Sequence, residues 1–94
     1  MMDLNEAGFR VIENRKRRGW PSADDLSKTT CGLAEEVGEF ETSRKQADGL
    51  GMVDALIDVM VFCLGGLTIL GRDIEAELQK VLKENESREH TGSH

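Results

Sequence analysis

The stretch MVDALIDVMVFCLGGLTIL, residues 52–70, decides how this chain folds. It is apolar almost all the way round a helical wheel, and only Asp54 and Asp58 break the pattern. It therefore predicts a helix over roughly Met52 to Leu70 that is buried on every side rather than along one stripe. Its uncharged part, Val59 to Leu70, is 12 residues long. That falls short of the ~20 residues a bilayer span needs, so the expectation is a core helix and no membrane. The two aspartates lie four apart and project from one face. An ionised carboxylate buried alone costs several kcal/mol, and this helix carries no Arg or Lys to offset it.

Working outward, Ser22 with Asp25 three residues on predicts the start of a preceding helix, an imperfect capping box because Asp replaces Glu or Gln. That helix is expected from about Ala23 to about Ala47, stopping at Asp48-Gly49-Leu50-Gly51. Its apolar seam reads Leu26, Thr30, Leu33, Val37 and Phe40, a 3-4 alternation suited to packing on a neighbour. Before it, Leu4, Ala7, Gly8, Val11 and Ile12 recur at helical spacing, and the segment closes with the cations Arg15 to Arg18 and then Gly19. The arginine run reads as a solvated helix terminus, with a phosphate-collecting rim as the minority alternative. After residue 70, Gly71 offers a stop, Asp73 an N-cap, and Glu75 and Glu77 favourable charge in a first turn. Ile74, Leu78, Val81 and Leu82 are the expected buried face of this last helix.

The result is an all-α, four-helix bundle in a single domain over residues 1–88, with 89–94 as a tail that has nothing to bury. The composition agrees: 38% apolar, 32% charged, no Tyr and a single proline suit packed helices better than a β-sandwich. A fully apolar third helix is more lining than 94 residues can cover, so at least a dimer is expected. Twelve Lys and Arg against 18 Asp and Glu give a net charge of −6, which disfavours a grip on DNA or RNA. Met1 to Glu6 contain no basic segment leading into an apolar run, so the expected location is the cytoplasm. Cys31 and Cys63 are too far apart for a Cys-x-x-Cys site, and no His precedes His90. Neither zinc nor a disulfide framework is indicated, and both thiols are expected to be buried or inert.

The chemistry lies in the acids. Glu35, Glu36 and Glu39 fall within an arc of roughly 100° on the second helix, and Lys28, Gly32 and Ser43 share that arc. Three like charges so close repel unless they are solvated, protonated or bridged by a cation. Taken with Asp54 and Asp58, they make five carboxylates on two helices. An oxygen-only donor set is what Mg²⁺ or Mn²⁺ selects. Mg²⁺ commonly completes its shell with water or substrate phosphates, which makes a nucleotide polyphosphate the natural guest. A solvated acidic face and a buried ion-pair cluster are the structural alternatives.

Glu35-Glu36-Val37-Gly38-Glu39, Val53-Asp54-Ala55-Leu56-Ile57-Asp58 and Asn85-Glu86-Ser87-Arg88 resemble the MazG-like all-α nucleotide pyrophosphohydrolases, over about Leu4 to Arg88. The resemblance implies a helical homodimer or homotetramer that uses Mg²⁺ to cleave a nucleoside triphosphate to a monophosphate and pyrophosphate. Carried over, Glu36, Glu39 and Asp58 are metal ligands, and Glu35 orients or deprotonates the attacking water. Ala55 stands where the commonest family pattern has a Glu, and Asp54 supplies Asp-x-x-x-Asp in its place. Lys83, Asn85 and Arg88 match an ending that contacts phosphate or base in some relatives, or they are a charged helix end. Lys28 either reaches a phosphate or pairs with Glu35 or Glu36, and Trp20 either stacks on a base or anchors the core. The alternative from another class is a non-catalytic helical interaction module descended from that family. A di-iron carboxylate protein is weaker still, since Glu-x-x-His pairs are missing.

Overall fold

The computed structural model describes residues 1–20 and 25–88, and among these it is all-helical. The helices are α1 (Leu4–Arg17), α2 (Leu26–Lys45), α3 (Gly49–Ile69) and α4 (Ile74–Ser87). Each opens on an aspartate whose carboxylate accepts from a backbone N–H of the first turn: Asp3 from Glu6, Asp25 from Ser27, Asp48 from Gly51 and Asp73 from Ala76. Gly19 and Gly71 take positive φ just past α1 and α3, as a glycine stop requires, whereas Ala47 does the same past α2 at φ 55°.

Two boundaries differ from expectation. The observed cap of α2 is Asp25, with the helix running from Leu26, while Ser22 and Ala23 lie outside the described residues. Gly49, Leu50 and Gly51 form the first turn of α3 instead of a connector, because the Asp48 carboxylate draws the Gly51 N–H at 3.0 Å. The expected tail, 89–94, also lies outside the described residues.

α3 is the hub, packed against α1, α2 and α4, while α1 also touches α4. The α1–α4 contact is a clasp built on Asn5. Its amide donates to the Asp73 carboxylate at 2.9 Å and accepts from the Ile74 N–H at 2.7 Å, while the Leu4 N–H donates to Glu75 at 2.7 Å. α2 and α3 run antiparallel, with Thr29 against Gly66, Gly32 against Phe62 and Ser43 against Gly51. A Cβ on Gly32 would overlap the Phe62 ring, so glycine there lets the two helices close up.

Among the described residues the chain does not close a large core. Its Cα radius of gyration is 15.6 Å, against about 12 Å for a compact domain of this length. Among the described residues the buried apolar side chains are Ile12, Ala55 and Ile74. α3, expected to be enclosed all round, exposes Leu50, Val53, Leu56, Ile57 and Met60. The expected seam of α2 likewise faces out, with Leu26, Thr30 and Val37 exposed and Leu33 and Phe40 half-buried. Of the face expected on α4, Ile74 is buried while Leu78, Val81 and Leu82 are exposed. Cys31 and Cys63 are free and exposed instead of buried. The physical reason is common to all of these: α3 offers one apolar surface to three helices, and none of them covers its outer side. At 21 residues and a mean hydropathy of 2.0 over its most apolar window, α3 is also long and apolar enough to cross a membrane, which the uncharged run alone did not suggest.

Candidate functional site

The face that α2 turns to α3 is the polar one. Thr29, Gly32, Glu36, Glu39 and Ser43 follow a 3-4-3-4 spacing, and the three contacts given above fix Thr29, Gly32 and Ser43 against α3. Carrying that antiparallel register along the pair sets Glu36 level with Asp58, and Glu39 level with Ala55. α2 thus bears two stripes of the same period. α3 selects the one with small residues because Gly32 and Gly51 admit the opposing side chains and Gly66 admits Thr29.

Glu36 is buried, at 8% exposure, and its Oε2 has no hydrogen-bond partner. Desolvation, followed by the charges of Glu39, Asp58 and Glu35, raises its carboxyl above the ordinary glutamate value. Among the described residues the ion pairs are Lys16–Glu13, Arg44–Glu41 and Arg72–Glu77, so none of the five site carboxylates is in an ion pair there. Lys28 is exposed and forms neither of the pairings with Glu35 or Glu36 considered from sequence.

The five carboxylates line two cavities. The first, of about 600 Å³, is lined by Glu36 of α2, Asp58 of α3, and Arg10, Arg15, Arg17 and Arg18 of α1 and its C-terminal cap, with Trp20 and Phe62 among its walls. The second, of about 570 Å³, holds Glu35, Glu39 and Asp54 together with Ser43 and the buried Ala55. Glu36 links the two, since it feels the charges of Glu35 and Glu39 as well as Asp58. Among the described residues, no three acidic, His or Cys side chains are already drawn together in a group able to hold an ion. The donor chemistry nonetheless fits a hard divalent cation: every candidate ligand is a carboxylate oxygen, and Glu36 Oε2 is a buried acceptor still lacking a partner.

Trp20 is half-buried beside the first cavity, with the Arg15 guanidinium 5.1 Å from its ring centroid. Lys83, Asn85 and Arg88 are exposed at the far end of α4 and line neither cavity. Arg15 was missed as a site residue. The expected solvated terminus holds for Arg17 and Arg18, but Arg15 is buried at 4% exposure, and desolvation lowers its guanidinium from the ordinary arginine value. The available signal was its spacing: Gly8, Ile12 and Arg15 continue one helical stripe. No family model, curated protein or solved structure matches the chain.

Proposed function

We propose that the chain is a Mg²⁺-dependent nucleoside triphosphate pyrophosphohydrolase of the MazG-like type, acting as a cytoplasmic homodimer or homotetramer. The observation that carries this reading is Glu36, a buried acid with an unpartnered oxygen, set among three further carboxylates, none of them in an ion pair among the described residues. Such a cluster is relieved by an ion from outside, and a polyphosphate brings oxygens that complete its shell. Glu36, Glu39, Asp54 and Asp58 would hold the ion, which when bound neutralises carboxylates and polarises phosphate oxygens; Mn²⁺ would serve in the same way. Glu35, beside Glu39 in the second cavity, orients the attacking water and accepts its proton. Water attacks phosphorus at the α,β bridge, the bond to the bridging oxygen breaks, and the products are a monophosphate and pyrophosphate.

The oligomer is supported by the apolar rows left open on α2, α3 and α4, where a second copy would cover Val37, Leu56 and Ile57. Pyrophosphate release across a panel of ribo- and deoxyribonucleoside triphosphates, with and without Mg²⁺, tests the activity. Glu39→Ala and Asp58→Ala should each abolish it while circular dichroism stays helical, and unchanged turnover in both would refute the assignment.

A second reading, the non-catalytic helical interaction module, is favoured by one observation. Ala55 is buried at the level of Glu39, where the resembled pattern carries a ligand Glu. No pyrophosphate from any triphosphate, with the protein folded and Mg²⁺ present, decides for the module.

A further inference from the structure

Arg15 occupies a slot made for it. Its guanidinium lies 5.1 Å from the Trp20 ring centroid and 5.5 Å from that of Phe62. It rests on α3 at Gly65, where a Cβ would come within 2.9 Å of both Nη1 and Nη2. Any side chain at position 65 would displace the group. The rings hold the cation in place but offer it no acceptor. Neither Nη atom has a hydrogen-bond partner, and Arg15 enters no ion pair among the described residues. A guanidinium keeps its charge and its five donors whatever its surroundings. One left buried without an acceptor is therefore set up for an acceptor that arrives from outside.

The cavity beside it narrows what arrives. Arg10, Arg17 and Arg18 stand on its wall with Arg15, which excludes a cation at that end. Glu36 and Asp58 line the same cavity from α2 and α3, which repels a bare anion unless it carries a divalent ion at its other end. A chain of phosphates meets both conditions, and its oxygens match the guanidinium fork in bidentate fashion. We infer that Arg15 is the buried anchor of an anion subsite in this cavity, whose ligand is a phosphate group of a polyphosphate running from the arginine wall toward Glu36 and Asp58. The direction of that chain rests on the proposed function, whereas the subsite itself rests on the unpartnered guanidinium. Both Nη atoms are closed to solvent and the Trp20 ring lies over the guanidinium, so a phosphate that reaches them changes the surroundings of Trp20.

The test is isothermal titration of the full chain with inorganic tripolyphosphate, with an α,β-methylene nucleoside triphosphate in a second arm, each with and without excess Mg²⁺. The emission of Trp20, the sole tryptophan, is followed in parallel. Tripolyphosphate should bind and alter that emission. Arg15→Gln should weaken binding about 10- to 100-fold, the loss expected for charge-assisted hydrogen bonds. Gly65→Ala, which keeps the charge but crowds the guanidinium out, should weaken it as well, and Arg72→Gln, the same charge change beside Glu77, should leave it unaltered. Tighter binding in the nucleotide arm marks a nucleotide as the ligand, and equal binding marks the phosphate chain alone; both support the subsite. A folded Arg15→Gln that binds tripolyphosphate as the wild type does overturns it, as does a wild type with neither heat nor a Trp20 response. If Arg15→Gln fails to fold, Gly65→Ala and the wild-type emission decide. Arg15-dependent binding without pyrophosphate release from any triphosphate keeps the subsite and removes the hydrolase. Turnover indifferent to Arg15 and Gly65 does the reverse.

Discussion

Gly32 and Gly38 lie in the same helix, and replacing each with alanine should move stability in opposite directions. Alanine is worth about 1 kcal/mol over glycine in a helix interior, and both positions are interior to α2. At Gly38 a Cβ meets nothing within 4 Å, so Gly38→Ala should realise that gain in full. At Gly32 the Cβ would overlap three ring carbons of Phe62. Phe62 cannot simply give way, because its other neighbours include the Arg15 guanidinium. Overpacking of this kind costs about 1–3 kcal/mol. The propensity gain cancels between the two variants, so they should differ by that overlap alone, about 1–3 kcal/mol. For a chain of this size each kcal/mol moves Tm by about 4–8 °C. The assay is urea and thermal unfolding by circular dichroism at matched protein concentration, comparing midpoints at equal m. Gly32→Ala at least as stable as Gly38→Ala would refute the close α2–α3 contact, and with it the placement of Glu36 against α3.

Further outcomes follow from the same structure. Because Glu36 is held above its ordinary value near 4.5, the folded chain binds its proton more tightly than the unfolded chain. Its contribution to stability is thus present at low pH and lost as pH rises from about 4.5 through the raised folded value. Glu36→Gln should flatten that part of the pH–stability curve and be the more stable form above it without Mg²⁺; a curve that matches the wild type would contradict the assigned burial. Ala47→Gly should stabilise the chain by about 1 kcal/mol, since a left-handed backbone strains a side chain that glycine lacks, and thermal melts check it. Ile57→Glu, on the exposed side of α3, should lower the mass seen by sedimentation if a second copy covers that face. A variant and wild type of equal mass would remove the proposed oligomer.

The local elements were legible because their causes are local. Asp73 caps the last helix, Gly19 and Gly71 stop the first and third, and the apolar runs have helical period, so three of the helices begin and end within a few residues of expectation. The acids were legible for a similar reason. Helical spacing alone sets Glu35, Glu36 and Glu39 on one arc and Asp54 with Asp58 on one face. What misled was hydrophobicity on α2: Leu26, Thr30, Leu33, Val37 and Phe40 form a proper 3-4 stripe, yet none of them is buried.

The sequence by itself determined four helices and the places of five carboxylates on the second and third of them, because dihedral preference and side-chain periodicity act within a few residues. Which stripe of α2 meets α3 was decided only in three dimensions. Phe62 needs a gap as deep as Gly32, and that demand comes from a residue 30 positions away. The same holds for Arg15. As a letter it is one more cation at a helix end. It becomes a buried, unpartnered guanidinium only because Gly65 of α3 leaves room for it and Trp20 and Phe62 close over it.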